Sequence, residues 1–295
     1  MTGVQTCALP ISGFDVTWER ADALRNAAER AAEESDAIVV THGTDTMAES
    51  AYLLDLTTAL GVPIAFTGAQ RPFDQVGTDG PPNLLAAVRT LADDRVDAGT
   101  FLVFDDEVHA ARDVVKSHTS ALSTFRSPER GPVGEFTPQG LRLFREPRSY
   151  SNAVSEVGSI EAEIPILTSG LGVSGAALRR VVGDFEDPAV DGIVVAGTGL
   201  GNTTGALCAT IEEARAAGLP VVIASRCHGG ATAPLYGGDG GGTTLDEFDV
   251  LWAGDLPPWK ARTKLAVALA IGDDDTDSAG IDEAFFERGN REPGR

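Results

Sequence analysis

Val39-Val40-Thr41-His42-Gly43-Thr44-Asp45-Thr46-Met47 is the stretch from which the rest of this 295-residue chain can be read. The apolar run Ala37-Ile38-Val39-Val40 leads into it and predicts a short, buried parallel strand. Gly43 breaks the run. Thr46-Met47-Ala48-Glu49 has the Thr-x-x-Glu spacing of a capping box, which predicts Thr46 as N-cap and a helix over residues 47–60. Thr44 and Asp45 then fall in a tight turn between the carboxyl end of a strand and a helix N-terminus. Open α/β sheets bind ligands at that place, where free amide N–H groups can hold a carboxylate or an oxyanion. A hydroxyl beside a carboxylate there is a candidate nucleophile or water activator, although an ordinary capped turn would use the same residues.

The neighbouring segments repeat the pattern. Residues 18–34 read as an amphipathic helix with Ala21, Leu24, Ala27, Ala28 and Ala31 on one face and its charges in solvent. Residues 63–67 and 100–104 read as further buried strands. Gly68-Ala69-Gln70 follows the first of these at its carboxyl end, where a backbone can approach a ligand. Arg71 suits a carboxylate or a structural ion pair. Asp79-Gly80-Pro81 reads as a turn before a helix over 83–92. Lys116 is the one basic group with a chemical reason to sit nearby: a neutral amine can take a proton from a threonine hydroxyl, provided burial lowers its pKa. His42, His109 and His118 lie close to these motifs, and supporting hydrogen bonds around the site suit each better than a Ser-His-Asp arrangement.

Composition narrows the function classes. The formal charge of −21 argues against nucleic acid and anionic membranes as partners, both of which need basic patches. Of 23 basic residues only three are lysines, Lys116, Lys260 and Lys264. Such acidity with so little lysine fits a protein working in concentrated salt, from a halophilic source, where self-repulsion is screened. Nothing approaches the roughly eighteen consecutive apolar residues of a membrane helix. Cys7, Cys208 and Cys227 are too few and too scattered for a disulfide framework or a zinc site, and a reducing cytoplasm fits best.

Past residue 131 the pattern loosens into hairpin-like pieces at 133–136 and 141–144, then a polar run. A second α/β series begins at residue 164, with strands at 164–167, 192–196 and 220–225 and helices at 176–182, 205–217 and 261–271. The loop Gly197-Thr198-Gly199-Leu200-Gly201-Asn202 follows a strand but departs from Gly-x-Gly-x-x-Gly, and dinucleotide binding is not expected. Residues 237–244 read as a flexible glycine-rich surface loop, and 272–295 as a solvated tail around one short helix near 281–287.

Thr41-His42-Gly43-Thr44-Asp45-Thr46-Met47 also resembles the second signature of the bacterial and archaeal L-asparaginases. The likeness continues, in family order, through Thr67-Gly68-Ala69-Gln70-Arg71-Pro72, Asp79-Gly80-Pro81-Pro82-Asn83-Leu84 and Ala111-Arg112-Asp113-Val114-Val115-Lys116. The resemblance implies an α/β fold with a larger N-terminal parallel-sheet domain of Rossmann or flavodoxin type and a smaller C-terminal α/β domain. The expected organisation is a leader of unrelated origin at 1–11, an N-terminal domain at 12–144, a linker at 145–163 and a C-terminal domain at 164–295. The resemblance also implies a homodimer or homotetramer that hydrolyses the side-chain amide of L-asparagine with neither a metal nor an organic cofactor. Thr44, Asp45 and Lys116 match the family's threonine–aspartate–lysine triad. Ser12 and Gly13 fall where the family binds the substrate's α-amino and carboxylate groups, Gly43 and Ala69 line the two turns, and Asn202 matches an asparagine that reaches a neighbouring subunit's active site.

The family's first signature, Thr-Gly-Gly-Thr-Ile, whose threonine is taken to be acylated, does not occur in these residues. A truncated gene model is therefore expected, and with it a chain that is poorly active as written. Two rivals share the core motif: the asparaginase-like subunit of an archaeal tRNA-dependent amidotransferase, and a non-catalytic amino-acid-binding remnant.

Overall fold

The computed structural model describes residues 12–147, 154 and 157–271. The expected leader, the middle of the polar run and the acidic tail lie outside the described residues. The chain divides into two compact units between residues 156 and 157.

In the first unit, α1 (Trp18–Ala32), β1 (Ile38–Thr41), α2 (Met47–Thr57), β2 (Ile64–Thr67), α3 (Gly80–Leu91) and β3 (Thr100–Phe104) alternate helix and strand. After them come β4 (Glu107–Ala110), β5 (Val115–Lys116), β6 (Phe125–Arg126), β7 (Gly134–Thr137) and β8 (Gly140–Leu143). One six-stranded sheet runs in the order β1-β2-β3-β4-β7-β8. Its first three strands are parallel, with Val40 opposite Phe66 and Phe66 opposite Leu102, and the remaining pairs are antiparallel. Alternation along the strands explains the layering. Ile64, Phe66, Leu102 and Phe104 pack with Met47, Ala51 and Leu54 of α2, whereas Ala65, Phe101 and Val103 pack with Ala86 and Ala87 of α3. Helices on both faces thus bury the parallel part of the sheet.

Several local expectations need correction. The β1 strand is parallel but only partly buried, because among the described residues it forms the edge of the sheet and is paired along one side alone. Thr46 stands at the N-cap of α2, yet its hydroxyl makes no cap bond to the helix and donates instead to the Gly13 carbonyl at 2.6 Å. The charges of α1 are not all in solvent: Asp22 and Arg25 are buried and paired at 3.2 Å. The α3 helix begins at Gly80, with proline in its first turn where the missing N–H costs nothing.

The second unit holds β9 (Ile166–Thr168), α4 (Ala176–Val182), β10 (Ile193–Gly197), α5 (Gly205–Ala216), β11 (Val221–Ser225), α6 (Gly242–Asp246), β12 (Leu251–Trp252) and α7 (Pro258–Ile271). Its four-stranded sheet, β12-β11-β10-β9, is parallel throughout. Ile193, Val195, Val221 and Ile223 pack with Leu178 and Val182 of α4 and Leu207 and Ile211 of α5. The α7 helix packs on β10 and β11, and its Leu265 lies against Gly192, where a Cβ would come within 2.9 Å. Among the described residues no helix is long and apolar enough to cross a membrane.

The glycine-rich run at 237–244 is not a free loop. Gly240, Gly241 and Gly242 are buried, and a Cβ on Gly242 would lie 2.9 Å from the Pro234 Cα. These three glycines are there because backbone packs on backbone, while Gly237 and Gly238 are exposed, and the run turns directly into α6.

Candidate active site

Two neighbouring parallel strands deliver the turns that build the site, β1 into Gly43-Thr44-Asp45 and β2 into Gly68-Ala69-Gln70. Glycine is required at both. A Cβ on Gly68 would overlap the His42 carbonyl, and one on Gly43 would come within 2.7 Å of the Gly13 Cα. The turns therefore nest against each other and against the segment before α1.

Lys116 reaches the first turn from β5. Its Nζ donates to Thr44 Oγ1 at 2.9 Å and to Asp45 Oδ1 at 2.7 Å. The lysine side chain is 18% exposed and that of Asp45 is 53% exposed, so the contact is within reach of solutes. Thr44 is half-buried, and its hydroxyl donates to Gln70 Oε1 at 2.8 Å. The arrangement joins a hydroxyl, an amine and a carboxylate at the N-terminus of α2, whose first N–H groups carry no intrahelical partner. Chemically it can move a proton between a threonine and a lysine and hold developing negative charge.

Other residues expected at the site fall in different places. Gly13 lies against Gly43 and accepts from Thr46, while Ser12 is exposed and its carbonyl accepts from the Asp15 N–H at 2.9 Å. Ala69 stands in the second turn, but the side chain meeting Thr44 is that of its neighbour Gln70. Asn202 belongs to the second unit, where its Oδ1 accepts from the Gly242 N–H at 3.0 Å and braces the start of α6.

Residues quoted only as motif members carry the turns. The Asp79 carboxylate accepts from the Gln70 N–H at 3.0 Å, the Arg71 N–H at 2.9 Å and Asn83 Nδ2 at 3.1 Å. Asn83 also donates to the Gly68 carbonyl at 3.0 Å and accepts from the Asp105 N–H at 3.0 Å. The polar residues of the first turn of α3 thus clamp the second site turn to the sheet. Arg71 is exposed and donates to the Gly77 carbonyl at 2.9 Å.

The three histidines all take supporting places. His42 lies 2.7 Å from the Gly43 carbonyl through Nδ1 and 3.1 Å from Ser50 Oγ through Nε2, bracing the Thr44 turn against α2. His118 Nδ1 accepts from the Ser120 and Ala121 N–H groups at 3.0 and 2.9 Å. His109 corrects one expectation, because it does stand between a serine and a carboxylate: Nδ1 is 2.9 Å from Ser127 Oγ and Nε2 is 3.4 Å from Glu107 Oε2. His109 and Ser127 are buried, so this trio ties β4 to the segment after β6.

Burial holds the His42 imidazole below its ordinary pKa of 6.5, only partly offset by the hydrogen bond to Gly43. The unfolded chain therefore takes up a proton at a higher pH than the folded one, and stability falls as pH drops below about 6.5. Denaturant titrations at mildly alkaline and mildly acidic pH should show this loss in the natural chain and a smaller one in His42→Gln. An equal loss in both would remove His42 from the pH dependence.

A family model described as "Asparaginase, N-terminal" matches residues 4–149, and one described as "Glutaminase/Asparaginase C-terminal domain" matches residues 163–283. The chain belongs to the asparaginase family. It is similar to a probable L-asparaginase of Deinococcus radiodurans, 36% identical over 251 residues, covering 83% of this chain and 74% of that protein. L-asparaginase 2 of Escherichia coli K12 is 35% identical over 243 residues, covering 80% and 67%. A glutamyl-tRNA(Gln) amidotransferase subunit of Methanothermobacter thermautotrophicus is 31% identical over 248 residues, but these span only 55% of its length. Both halves of the family are present in order, and the Thr44, Asp45 and Lys116 cluster falls inside the N-terminal match.

Proposed function

We propose that this asparaginase-family chain is an L-asparagine amidohydrolase, releasing L-aspartate and ammonia. The observation that carries the reading is the contact of Lys116 Nζ with both Thr44 Oγ1 and Asp45 Oδ1 at a helix N-terminus. The threonine of the family's first signature does not occur in these residues, so in this reading Thr44, the hydroxyl held against the lysine, takes its place with impaired turnover: its oxygen attacks the side-chain amide carbon while its proton passes to Lys116. The N–H groups at the start of α2 hold the resulting oxyanion. Collapse breaks the C–N bond as Lys116 hands the threonine's proton to the leaving nitrogen, which departs as ammonia, and an acyl ester remains on the threonine. Water then cleaves that ester to give aspartate and restore Thr44. Asp45 keeps Lys116 aimed at the threonine. Gly13 and Gly43, whose backbones touch, line the place for the substrate's α-amino and carboxylate groups, with Ser12 and Ala69 beside them.

The assembly proposed is a homodimer or homotetramer, with Asn202 completing the site of a neighbouring subunit, and the location proposed is cytoplasmic. The charge of −21 supports a halophilic enzyme. So does the placing of the three lysines, since Lys260 and Lys264 are fully buried and Lys116 is in the site. At about 1 M salt the screening length falls to roughly 3 Å, which removes most of the repulsion between surface carboxylates.

Ammonia release from L-asparagine, followed at low and molar salt, tests both readings. Activity and thermal midpoint should rise together with salt. Turnover best at low salt would sink the halophilic reading. No turnover at any salt, with a tRNA-binding protein co-purifying, would transfer the assignment to an amidotransferase subunit, a reading the Methanothermobacter relative supports over part of its length.

A further inference from the structure

The Thr44 hydroxyl has one proton to give, and it points away from the lysine. It donates to Gln70 Oε1 at 2.8 Å while accepting from Lys116 Nζ at 2.9 Å. Lys116 can draw off that proton only after the O–H bond swings from Gln70 toward the amine. Gln70 is itself held. Its N–H meets both Asp79 oxygens, at 3.1 and 3.0 Å, and its Nε2 donates to the Ala121 carbonyl at 3.2 Å. The Ala121 bond orients the amide so that its oxygen, not its nitrogen, faces Thr44. Ala121 is fixed in turn by its N–H on His118.

Building on the assignment of Thr44 and Lys116 as the proton-handling pair, we propose that Gln70 is a positioning residue for the Thr44 hydroxyl: it sets the direction of the O–H bond and so the geometry in which the threonine meets the lysine. The charged and titratable groups around it are Lys116 and Asp45 across Thr44, Asp79 on the side of α3, and His118 behind Ala121. Gln70 acts through Thr44.

Two substitutions push this arrangement in opposite directions. Gln70→Glu keeps an acceptor for the Thr44 proton and adds a negative charge two hydrogen bonds from Lys116, which favours the charged ammonium. Gln70→Met removes the strong acceptor, freeing the O–H to turn to Lys116 and favouring the neutral amine. The added charge favours the ammonium whatever the role of Gln70, so the neutral Gln70→Met carries the test: a side chain confined to packing would leave Lys116 unmoved there.

The lysine content makes the measurement direct. Carbon-13 lysine labelling of the full chain yields signals from only three side chains, and the one lost in Lys116→Arg is Lys116. The pH at which that signal moves should rise by about one unit in Gln70→Glu and fall by a few tenths in Gln70→Met. Circular dichroism checks the fold of both variants, and the uncharged Gln70→Met decides the matter should the glutamate variant fail to fold. A Lys116 signal that titrates in Gln70→Met as in the natural chain would overturn the proposal. Failure of the natural chain to release ammonia would instead defeat the amidohydrolase reading, and the lysine titration would still decide the role of Gln70.

Discussion

Lys116→Met should lower ammonia release from L-asparagine by about 10³-fold while leaving the fold intact, since general acid–base groups typically contribute 10²- to 10⁴-fold. Methionine matches the lysine stem in length and volume, so the packing of a side chain 18% exposed is little disturbed. What disappears is the group 2.9 Å from Thr44 and 2.7 Å from Asp45. Lys116→Arg sharpens the test. Arginine restores the positive charge beside Asp45 but does not give up its proton at any working pH. A loss in both variants assigns proton transfer to Lys116; recovery in the arginine variant would assign it charge alone. Activity within tenfold of the natural chain in Lys116→Met would take the lysine out of the chemistry.

How much of this could be read beforehand depended on whether the deciding contact was local. The α2 helix and strand β2 were legible because short apolar runs end in glycine where the chain must turn, and β3 because its apolar run stops at Asp105-Asp106, which take the left-handed turn instead. The meeting of Thr44 and Lys116, 72 residues apart, was not written in any local pattern and was expected from the chemistry a lysine could do beside a threonine and from the motif resemblance. Gln70 shows the limit more clearly. Its sequence neighbours gave it no role, because the role comes from Thr44, Ala121 and Asp79 arriving from three other segments. Similarly, the β1 run has the composition of a buried strand, but burial is set by how many strands flank it, and among the described residues β1 has one. Thr46 fits a capping box by spacing, yet a competing acceptor, the Gly13 carbonyl, lies closer than local rules foresee. The glycines at 240–242 look like flexibility and are close packing, a distinction that only the opposing backbone makes.

Asp113→Ala should destabilise the chain by about 3–5 kcal/mol, the usual cost of removing one partner from a buried charge cluster. The Asp113 side chain is 1% exposed and meets Arg145 at 3.0 Å, Arg112 at 3.4 Å and Arg130 at 3.5 Å. Arg112 is itself buried, so truncation leaves guanidinium groups gathered without the carboxylate that drew them together. The backbone adds a reason to expect coupling to the site. Asp113 stands between β4 and β5, its N–H donates to the Ala110 carbonyl, and Lys116 follows within the same short segment. Loosening this turn should therefore misplace Lys116 as well as lower stability. Urea unfolding of the natural chain, Asp113→Asn and Asp113→Ala measures the first effect, and ammonia release on the folded fraction measures the second. The two losses should travel together, unlike the Lys116→Met result, where activity falls and the unfolding midpoint holds. A cost below about 1 kcal/mol in Asp113→Ala, the range of an exposed ion pair, would mean that the arginines find other acceptors and that the cluster does not anchor the lysine.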